Sequence, residues 1–323
     1  MMGTGIVEDI NSELRYKLSK ARPNLKESTI RNYMITLGKI DRTINKEKLS
    51  EAIGTECLKN VDKFKEYIDT LKSDNTKKNA YNIAVVFLMS EADDDNTELI
   101  DVYTKERDIL NKKYVDFNAT HEKTERQEKN WMSYEELENI AKSYKNTDFQ
   151  KYAILTFHLN IALRNDLQSL RVMTEKQYNE IENKIQVNAI IKMTPKMKLA
   201  TGNLKEDYVI YLNNYKTSGA YKFKRILVPA KLSTMIKKLI LNNSKGDENP
   251  DNYLVLNNGK PFKSNEFTRY FNKILAHTGK KISTTLLRNI VLSHRYGDTV
   301  KEMKQVAKDM CHSDNTQKMY IKY

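Results

Sequence analysis

Two β-rich runs, at residues 208–212 and 225–229, interrupt a chain of 323 residues whose pattern is otherwise mostly helical. The runs read Tyr-Val-Ile-Tyr-Leu and Arg-Ile-Leu-Val-Pro, and a Thr-Ser-Gly turn lies between them. β-Branched and aromatic residues bounded by turn residues indicate strands, so the pair predicts a hairpin or a three-stranded sheet. The Lys-rich stretch at residues 174–206 has no clear pattern. The chain is therefore predicted to be mainly α-helical with one small β-sheet in its second half.

Apolar residues in the first 114 positions recur at three- and four-residue steps, which is the period of amphipathic helices. Such series occupy residues 30–40, 61–71 and 80–88, and a further helix is predicted at 97–114. Residues 115–130 are polar and lose this period, which is typical of a linker. A new helix is predicted from Ser133, where Ser-Tyr-Glu-Glu forms a capping box. We therefore predict a helical domain at 1–114, a linker at 115–130 and a second domain at 131–323.

The net charge of +13 belongs to the second part of the chain. Residues 1–127 hold 22 Lys and Arg against 23 Asp and Glu, whereas residues 128–323 hold 33 against 19. Basic side chains displace counterions from phosphates, so a polyanion such as a nucleic acid is the natural partner. A basic surface that only keeps the protein in solution is the alternative, and charge alone does not decide the chemistry.

Several classes of protein are excluded by composition. Cys57 and Cys311 are the only cysteines, which excludes a disulfide framework and a cysteine-rich zinc site. The sequence has no run of 18 apolar residues, so we expect no membrane span. The first nine residues lack the basic-then-apolar pattern of a signal peptide, and we expect an intracellular location.

Arg164 and Lys216 are the first two candidates for chemistry. Arg164 follows a long apolar helix predicted at 152–163 and precedes Asp166 and a new helix start. A guanidinium offers paired donors to two phosphate oxygens, although a corner arginine paired with Asp166 explains this motif equally well. Lys216 lies near the turn of the predicted hairpin, where an ammonium can contact phosphate or protonate a leaving oxygen. Three further cations lie near it: Lys222, Lys224 and Arg225.

Arg288, His312 and Tyr320 are the remaining candidates. Arg288 lies near the start of an apolar helix, where a charge is costly unless a partner such as a phosphate satisfies it. His312 could donate to a non-bridging phosphate oxygen, and the Tyr320 phenol, eight residues later, could attack phosphorus to give a phosphotyrosine. Taken singly, a histidine such as His312 is more often a helix-capping or surface residue, and a tyrosine such as Tyr320 more often has a packing role.

The five candidates, in their order along the chain, resemble the active-site set of the tyrosine recombinases. The first arginine box of that family is similar to LNIALRNDLQSL, and its lysine hairpin is similar to NYKTSGAYKFKRILVP. Its second arginine box resembles TTLLRNIVLS, and its His-Ser…Tyr box resembles MCHSDNTQKMYIK. The segment NLKESTIRNY resembles the start of the family's core-binding domain, so the resemblance covers nearly the whole chain. The Asn-Asp pair after Arg164 and the KTSGAY segment resemble integrases of large DNA viruses and related mobile elements.

The resemblance implies a site-specific DNA recombinase or integrase with a helical, SAM-like core-binding domain at 1–114 and an α+β catalytic domain at 131–323. Such an enzyme cleaves and rejoins strands through a 3′-phosphotyrosyl intermediate. Arg164, Arg288 and His312 would bind the scissile phosphate, Lys216 would act as general acid, and Tyr320 would be the nucleophile. The resemblance implies no metal or other cofactor, a homo-oligomer (a tetramer on paired DNA sites), and, for a viral protein, the cytoplasm or nucleus of the host.

The sequence departs from the family at several positions. Thr285 stands where a His or Lys usually lies three residues before the second arginine, and Cys311 replaces the usual Gly before the His-Ser pair. Tyr320 is one residue closer to His312 than is common, so Tyr323 is a rival nucleophile. Tyr320 is favoured because Ile-Lys follows it, as in the family's box. The long gap between the first arginine box and the lysine hairpin implies an insertion.

Two alternative functions follow from the same residues. A type IB DNA topoisomerase uses the same chemistry but rejoins the strand that it cut. A DNA-binding relative that has lost strand transfer is the other alternative, and Thr285 favours it.

Overall fold

The computed structural model describes residues 4–45, 53–91, 94–202, 205–243, 251–263 and 265–320. The chain divides into two compact units, Met1–Glu122 and Lys123–Tyr323. The boundary falls inside the segment predicted as a linker, yet most of that segment is helical, because one helix ends at Thr120 and the next begins at Glu125. Residues 111–120, the last turns of the first of these helices, are all exposed. A helix segment that faces solvent on all sides needs no apolar stripe, so its sequence lacks the helical period and resembles that of a loop.

The first unit is helical in its described part, as its periodicity predicts. Its helices are α1 (Thr4–Ala21), α2 (Glu27–Ile44), α3 (Val61–Asp69), α4 (Asp74–Ser90) and α5 (Thr97–Thr120). Leu37, Phe64, Phe87 and Tyr103 are fully buried in its core. The Tyr103 hydroxyl donates to the Leu58 carbonyl at 2.7 Å, which satisfies the one polar atom of that buried ring. The helix predicted at 97–114 continues to Thr120.

The second unit combines helices with a sheet. Its helices are α6 (Glu125–Asn130), α7 (Tyr134–Ser143), α8 (Phe149–Ile161), α9 (Glu175–Asn179), α10 (Pro195–Thr201), α11 (Ser218–Tyr221), α12 (Ser233–Asn243), α13 (Glu266–Ile274), α14 (Thr284–Asp309) and α15 (Asp314–Tyr320). Its strands are β1 (Leu170–Met173), β2 (Asn188–Lys192), β3 (Tyr208–Leu212) and β4 (Lys224–Leu227). The predicted capping box is present at the start of α7, where Ser133 and Glu136 bond each other's backbone N–H. Among the described residues, no helix is both long and apolar enough to cross a membrane.

The sheet has the strand order β1-β2-β3-β4, with β1 parallel to β2 and the other pairs antiparallel. The predicted hairpin is therefore present as β3 and β4. Two features differ from the sequence prediction. The sheet has a fourth strand. Strand β2 lies inside the stretch that has no clear pattern, and it was not predicted because a strand buried on both faces shows no alternation of apolar and polar residues. The Thr-Ser-Gly segment leads into the short helix α11 and forms no tight turn.

Helix α14 changes character along its length. Its first two turns are packed into the core of the second unit through Leu286, Leu287, Ile290 and Val291. Beyond residue 291 almost every side chain is exposed or half-buried, and Ala307 is the next buried residue. The helix is therefore anchored at its N-terminal end.

Candidate active site

Arg164 lies at the corner where α8 ends. Ala162 has a φ of 50°, which terminates α8, and Arg164 is the N-cap of the 3-10 helix Asn165–Ser169. His158 is fully buried beneath this corner, with Nδ1 2.8 Å from the Ile154 carbonyl oxygen and Nε2 3.1 Å from that of Arg164. Burial lowers the pKa of His158, which favours the neutral ring, and the single N–H of that ring donates to one of these two carbonyls.

Arg288 lies beside Arg164 and Asp166, and we call these three residues the arginine cluster. Burial, and then the positive charge of Arg164, lower the pKa of Arg288, while Asp166 opposes that shift. Burial raises the pKa of Asp166 even though both arginines oppose the rise. One carboxyl group neutralises at most one of the two guanidiniums, so the cluster carries net positive charge in a partly desolvated place. An anion is its natural complement.

Asn165 connects the parts of the chain that carry the two arginines of the cluster. Its Nδ2 donates to the Thr268 hydroxyl on α13 at 2.8 Å, and the Thr284 hydroxyl at the start of α14 donates to its Oδ1 at 2.8 Å. This one amide therefore joins the corner that carries Arg164 to the helix that carries Arg288.

Arg295 makes a second link, between α14 and the end of α8 just before the Arg164 corner. From α14, its Nη2 donates to the carbonyl oxygens of Leu159 and Asn160, at 2.8 Å each. These carbonyls belong to the last turn of α8, where they have no partner within the helix. Two side chains, Asn165 and Arg295, thus link the Arg164 corner to the helix that carries Arg288, while His158 packs beneath the corner itself.

Lys216 is exposed on the loop between β3 and α11. The buried amide of Asn188 anchors this loop by accepting hydrogen bonds from the backbone N–H groups of Asn213 and Asn214, at 2.9 Å each. Its Nδ2 donates to the Ser169 hydroxyl at 2.8 Å, at the end of the 3-10 helix that follows Arg164. The loop that carries Lys216 is therefore tied to the Arg164 corner.

Tyr215, the neighbour of Lys216, also lies near the arginine cluster. Desolvation, and then the charge of Asp166, raise the pKa of the Tyr215 phenol. Its hydroxyl donates to the Lys222 carbonyl at 2.6 Å and so closes the loop. Lys216 therefore lies on a loop near the cluster, although its ammonium makes no direct contact with either arginine in the structure.

His312 is placed by the end of α14. The His312 N–H donates to the Ala307 carbonyl and the Cys311 N–H to the Lys308 carbonyl, at 3.0 Å each, which is the Schellman pattern of helix termination. Cys311 has a φ of 57°, the left-handed conformation that favours glycine. Cys311 therefore occupies a position that glycine would adopt without strain.

His312 and Tyr320 lie next to each other. Their ring centroids are 5.5 Å apart at an interplanar angle of 60°. The Nε2 of His312 is buried and has no hydrogen-bond partner among the residues that the structure describes. The Tyr320 side chain is 69% exposed. The rival Tyr323 and the Lys322 of the family's box lie outside the described residues.

The five predicted residues form two groups. Arg164 and Arg288 lie together with the Lys216 loop nearby, and His312 lies with Tyr320. Between the groups, α14 runs without a break from Arg288 to its end, and 22 residues separate Arg288 from Met310. At 1.5 Å per residue this is about 33 Å. The predicted single site is therefore divided in this conformation, because Tyr320 cannot reach the arginine cluster of its own chain.

The positioning residues were not identified from the sequence. Asn188 lies in the stretch without a pattern, Asn165 reads only as part of a turn, and Arg295 reads as an exposed helix charge. One signal was available for His158, because a histidine inside an apolar helix needs a polar partner.

Comparison with known proteins identifies no family for this chain. No protein-family model matches the chain, and no curated protein matches it. Among solved structures, the chain is similar to one described as "Crystal structure of XerA recombinase". The two are 14% identical with a TM-score of 0.36, over 97% of this chain and 94% of the other. At that TM-score the likeness carries no argument about fold or activity.

Proposed function

We propose that this protein is a tyrosine-type DNA strand transferase, a site-specific recombinase or integrase that acts on double-stranded DNA. The observation that carries the proposal is the arginine cluster, in which two half-buried arginines lie within electrostatic range of one carboxyl group whose pKa burial has raised. A phosphodiester supplies the missing negative charge and accepts paired hydrogen bonds from a guanidinium.

In the proposed reaction, the Tyr320 phenol releases its proton to water and its oxygen attacks the phosphorus, while Arg164, Arg288 and His312 stabilise the charge on the phosphate oxygens. The bond from phosphorus to the 5′ oxygen breaks, and Lys216 gives that oxygen a proton. The product is a 3′-phosphotyrosyl link and a free 5′-hydroxyl. A 5′-hydroxyl from a partner strand then attacks the link, releases Tyr320 and joins the strands, so the bond energy is retained without ATP.

The remaining sequence expectations belong to the same proposal. The second unit, with 35 Lys and Arg against 20 Asp and Glu, is the proposed catalytic domain, and the helical first unit is the proposed core-binding domain. We propose a homo-oligomer on paired sites, because exchange of strands between two duplexes needs several active sites. The viral or mobile-element origin and the intracellular location rest on the sequence motifs alone.

Covalent capture of DNA tests the proposal. The full-length protein is incubated with a pool of nicked duplexes of random sequence, and the DNA that stays attached in denaturing detergent is recovered and sequenced. We expect a protein-linked 3′ end from the wild type and from Tyr323→Phe, and none from Tyr320→Phe. A covalent adduct in Tyr320→Phe would remove Tyr320 from the proposal, and relaxation of supercoiled plasmid without a pair of sites would indicate a topoisomerase.

A DNA-binding relative without strand transfer is the second candidate. Two observations favour it: Thr285, which replaces the usual His or Lys, is exposed on the first turn of α14, and Tyr320 is held away from the arginine cluster. The capture experiment separates the two candidates, since this relative would bind the pool and form no covalent link.

A further inference from the structure

The outer face of the sheet carries a groove between α9 and α10. Tyr178 of α9 and Met197 of α10 are buried in one cluster with Ile191 of β2, and this cluster is separate from the main core of the unit. Ile190, the neighbour of Ile191, points to the opposite face and belongs to that main core, against which α8 and α14 pack. The groove has a volume of about 700 Å³, which is the size of a small-molecule site. The sheet thus separates this groove from the arginine cluster.

Tyr211 and Arg225 lie at the floor of the groove, on the last two strands of the sheet. The two residues are partners in the register of β3 and β4, so their side chains lie next to each other on the outer face. The Tyr211 ring makes edge contacts with the rings of Tyr178 and Phe223, whose centroids are 4.9 and 5.3 Å from its own. The floor therefore consists of a well-supported aromatic ring beside a guanidinium.

The groove also holds opposite charges that do not neutralise each other. Glu175, at the start of α9, is half-buried and Arg225 is exposed, and neither of them has an ion pair with any residue that the structure describes. Burial raises the pKa of the Tyr211 phenol, the charge of Arg225 opposes this rise, and the charge of Glu175 adds to it. Both charges therefore lie within electrostatic range of the same hydroxyl group. A ligand that offers acceptors to the guanidinium and donors to the carboxylate would satisfy both.

We propose that this groove is a binding site for an unpaired guanine base. One edge of guanine presents the acceptors O6 and N7, which match the paired donors of a guanidinium such as that of Arg225. Another edge presents its ring N–H and its amino group, two donors that match the carboxylate of Glu175. Watson–Crick pairing occupies this second edge, so only an unpaired guanine fits. The flat base would stack on the Tyr211 ring, as bases do on aromatic floors.

The other common bases fit this arrangement less well. Adenine and cytosine carry an amino group in place of the guanine O6, so a donor would face the donors of Arg225. Thymine and uracil offer one acceptor and one donor where guanine offers two of each. The preference for guanine therefore depends on Arg225 and Glu175 together.

A phosphate attached to the base also has a partner in the groove. Lys196, on the α10 wall, has no ion pair with any described residue, whereas Lys176, on the α9 wall, lies 3.9 Å from the carboxylate of Glu180. Lys196 is thus the cation available for the phosphate. Guanine with a phosphate has two sources, a free guanine nucleotide and a single-stranded segment of nucleic acid, and the groove offers both the same chemistry.

Isothermal titration calorimetry of the full-length protein tests the choice of base. The ligands are the 5′-monophosphates of guanosine, inosine and adenosine. We expect the guanosine nucleotide to bind about tenfold more tightly than the adenosine nucleotide, because one well-placed pair of hydrogen bonds discriminates between bases by at least this factor. The inosine nucleotide lacks the amino group that faces Glu175 and should bind with intermediate affinity.

Two substitutions in the groove should remove the preference for guanine, and each has a matched control. Arg225→Met removes the guanidinium, whereas Lys224→Met removes the neighbouring cation, whose register partner Leu212 belongs to the main core on the other face of the sheet. Glu175→Gln removes the carboxylate, whereas Glu182→Gln changes an exposed carboxylate that does not line the groove. Both controls should keep the preference of the wild type. Thermal unfolding checks that each variant is folded.

Short oligothymidylates with one central guanine or one central adenine distinguish the two sources. A preference for guanine in these strands, lost when the guanine strand is annealed to its complement, supports the site and identifies single-stranded nucleic acid as its ligand. A preference for guanine in the free nucleotides alone supports the site and identifies a guanine nucleotide. Absence of a preference for guanine over adenine, in nucleotides and in strands alike, overturns the site. A preference that persists in folded Arg225→Met and Glu175→Gln places the guanine elsewhere and also overturns it.

Discussion

The arginine cluster and the segment from Cys311 to Tyr320 after α14, here called the tyrosine end, are built in different ways. The cluster is half-buried, and its two arginines are positioned by the contacts of His158, Asn165 and Arg295. The tyrosine end is exposed, and the contacts that place it are a helix termination at Cys311 and a ring contact between His312 and Tyr320. The charged part of the proposed site is thus preorganised, whereas the proposed nucleophile, Tyr320, lies on a helix end with few supporting contacts.

The difference in support between the two regions matters for the proposed chemistry. Electrostatic stabilisation of a transition state depends on donors that are already in place, so the arginines gain from rigid support. If the proposed function is correct, the separation of Tyr320 from the arginines limits cleavage of DNA until the two groups meet. The following predictions test how strongly the two regions differ.

The largest effect is expected at Arg288. Arg288→Ala should slow covalent capture of DNA by about a thousandfold, because it removes a preorganised cation from the scissile phosphate. Arg288→Lys should recover only part of the rate, since an ammonium lacks the planar fork. Single-turnover capture on a nicked duplex measures both. A loss of less than tenfold in the folded Ala variant would mean that the cluster does not act on the phosphate.

Asn165 should matter for stability as well as for rate. Asn165→Ala removes the hydrogen bonds to Thr268 and Thr284 and should lower the free energy of unfolding by about 2 kcal/mol, at roughly 1 kcal/mol per bond. Urea unfolding measures the change. Asn160→Ala is the matched control, because the Asn160 side chain donates only to the Thr156 carbonyl within α8. Equal losses in both variants would show that Asn165 does not hold the cluster together.

The buried His158 predicts a dependence of stability on pH. Burial lowers its pKa in the folded protein below the ordinary histidine value of 6.5, so its contribution to stability is complete above pH 6.5. This contribution is lost as the pH falls from 6.5 through the lower pKa of the folded state. His158→Gln should flatten this part of the curve, as measured by urea unfolding between pH 5 and 8 (roughly the range in which histidine titrates). An unchanged curve would contradict a neutral, buried ring.

The smallest effect is expected at the tyrosine end. Cys311→Gly should stabilise the end of α14 by roughly 1 kcal/mol, because glycine adopts the positive φ of this position without strain. Hydrogen exchange of the His312 amide should slow, while exchange in the first turns of α14 should not change. A faster exchange at His312 would show that the terminating geometry is not present in solution.

Local chemistry explains which parts of this molecule could be predicted from the sequence. The capping box at Ser133 and the strand pair β3–β4 depend on neighbouring residues and were predicted correctly. Strand β2 escaped prediction because a strand buried on both faces has no alternation. The contacts of Asn165 join residues more than 100 positions apart, and only the folded chain brings them together.

The division of the candidate site could not be predicted either. The order of Arg164, Lys216, Arg288, His312 and Tyr320 suggests one constellation, but order along a chain does not determine distance.

Identification of the residue that becomes linked to DNA tests the central claim most directly. After capture on a nicked duplex and nuclease trimming, proteolysis and mass spectrometry locate the nucleotide on the chain. The account predicts a nucleotide on Tyr320, attached through its 3′ phosphate. A nucleotide on Tyr323 or on any other residue, or DNA binding without any covalent link, would contradict it.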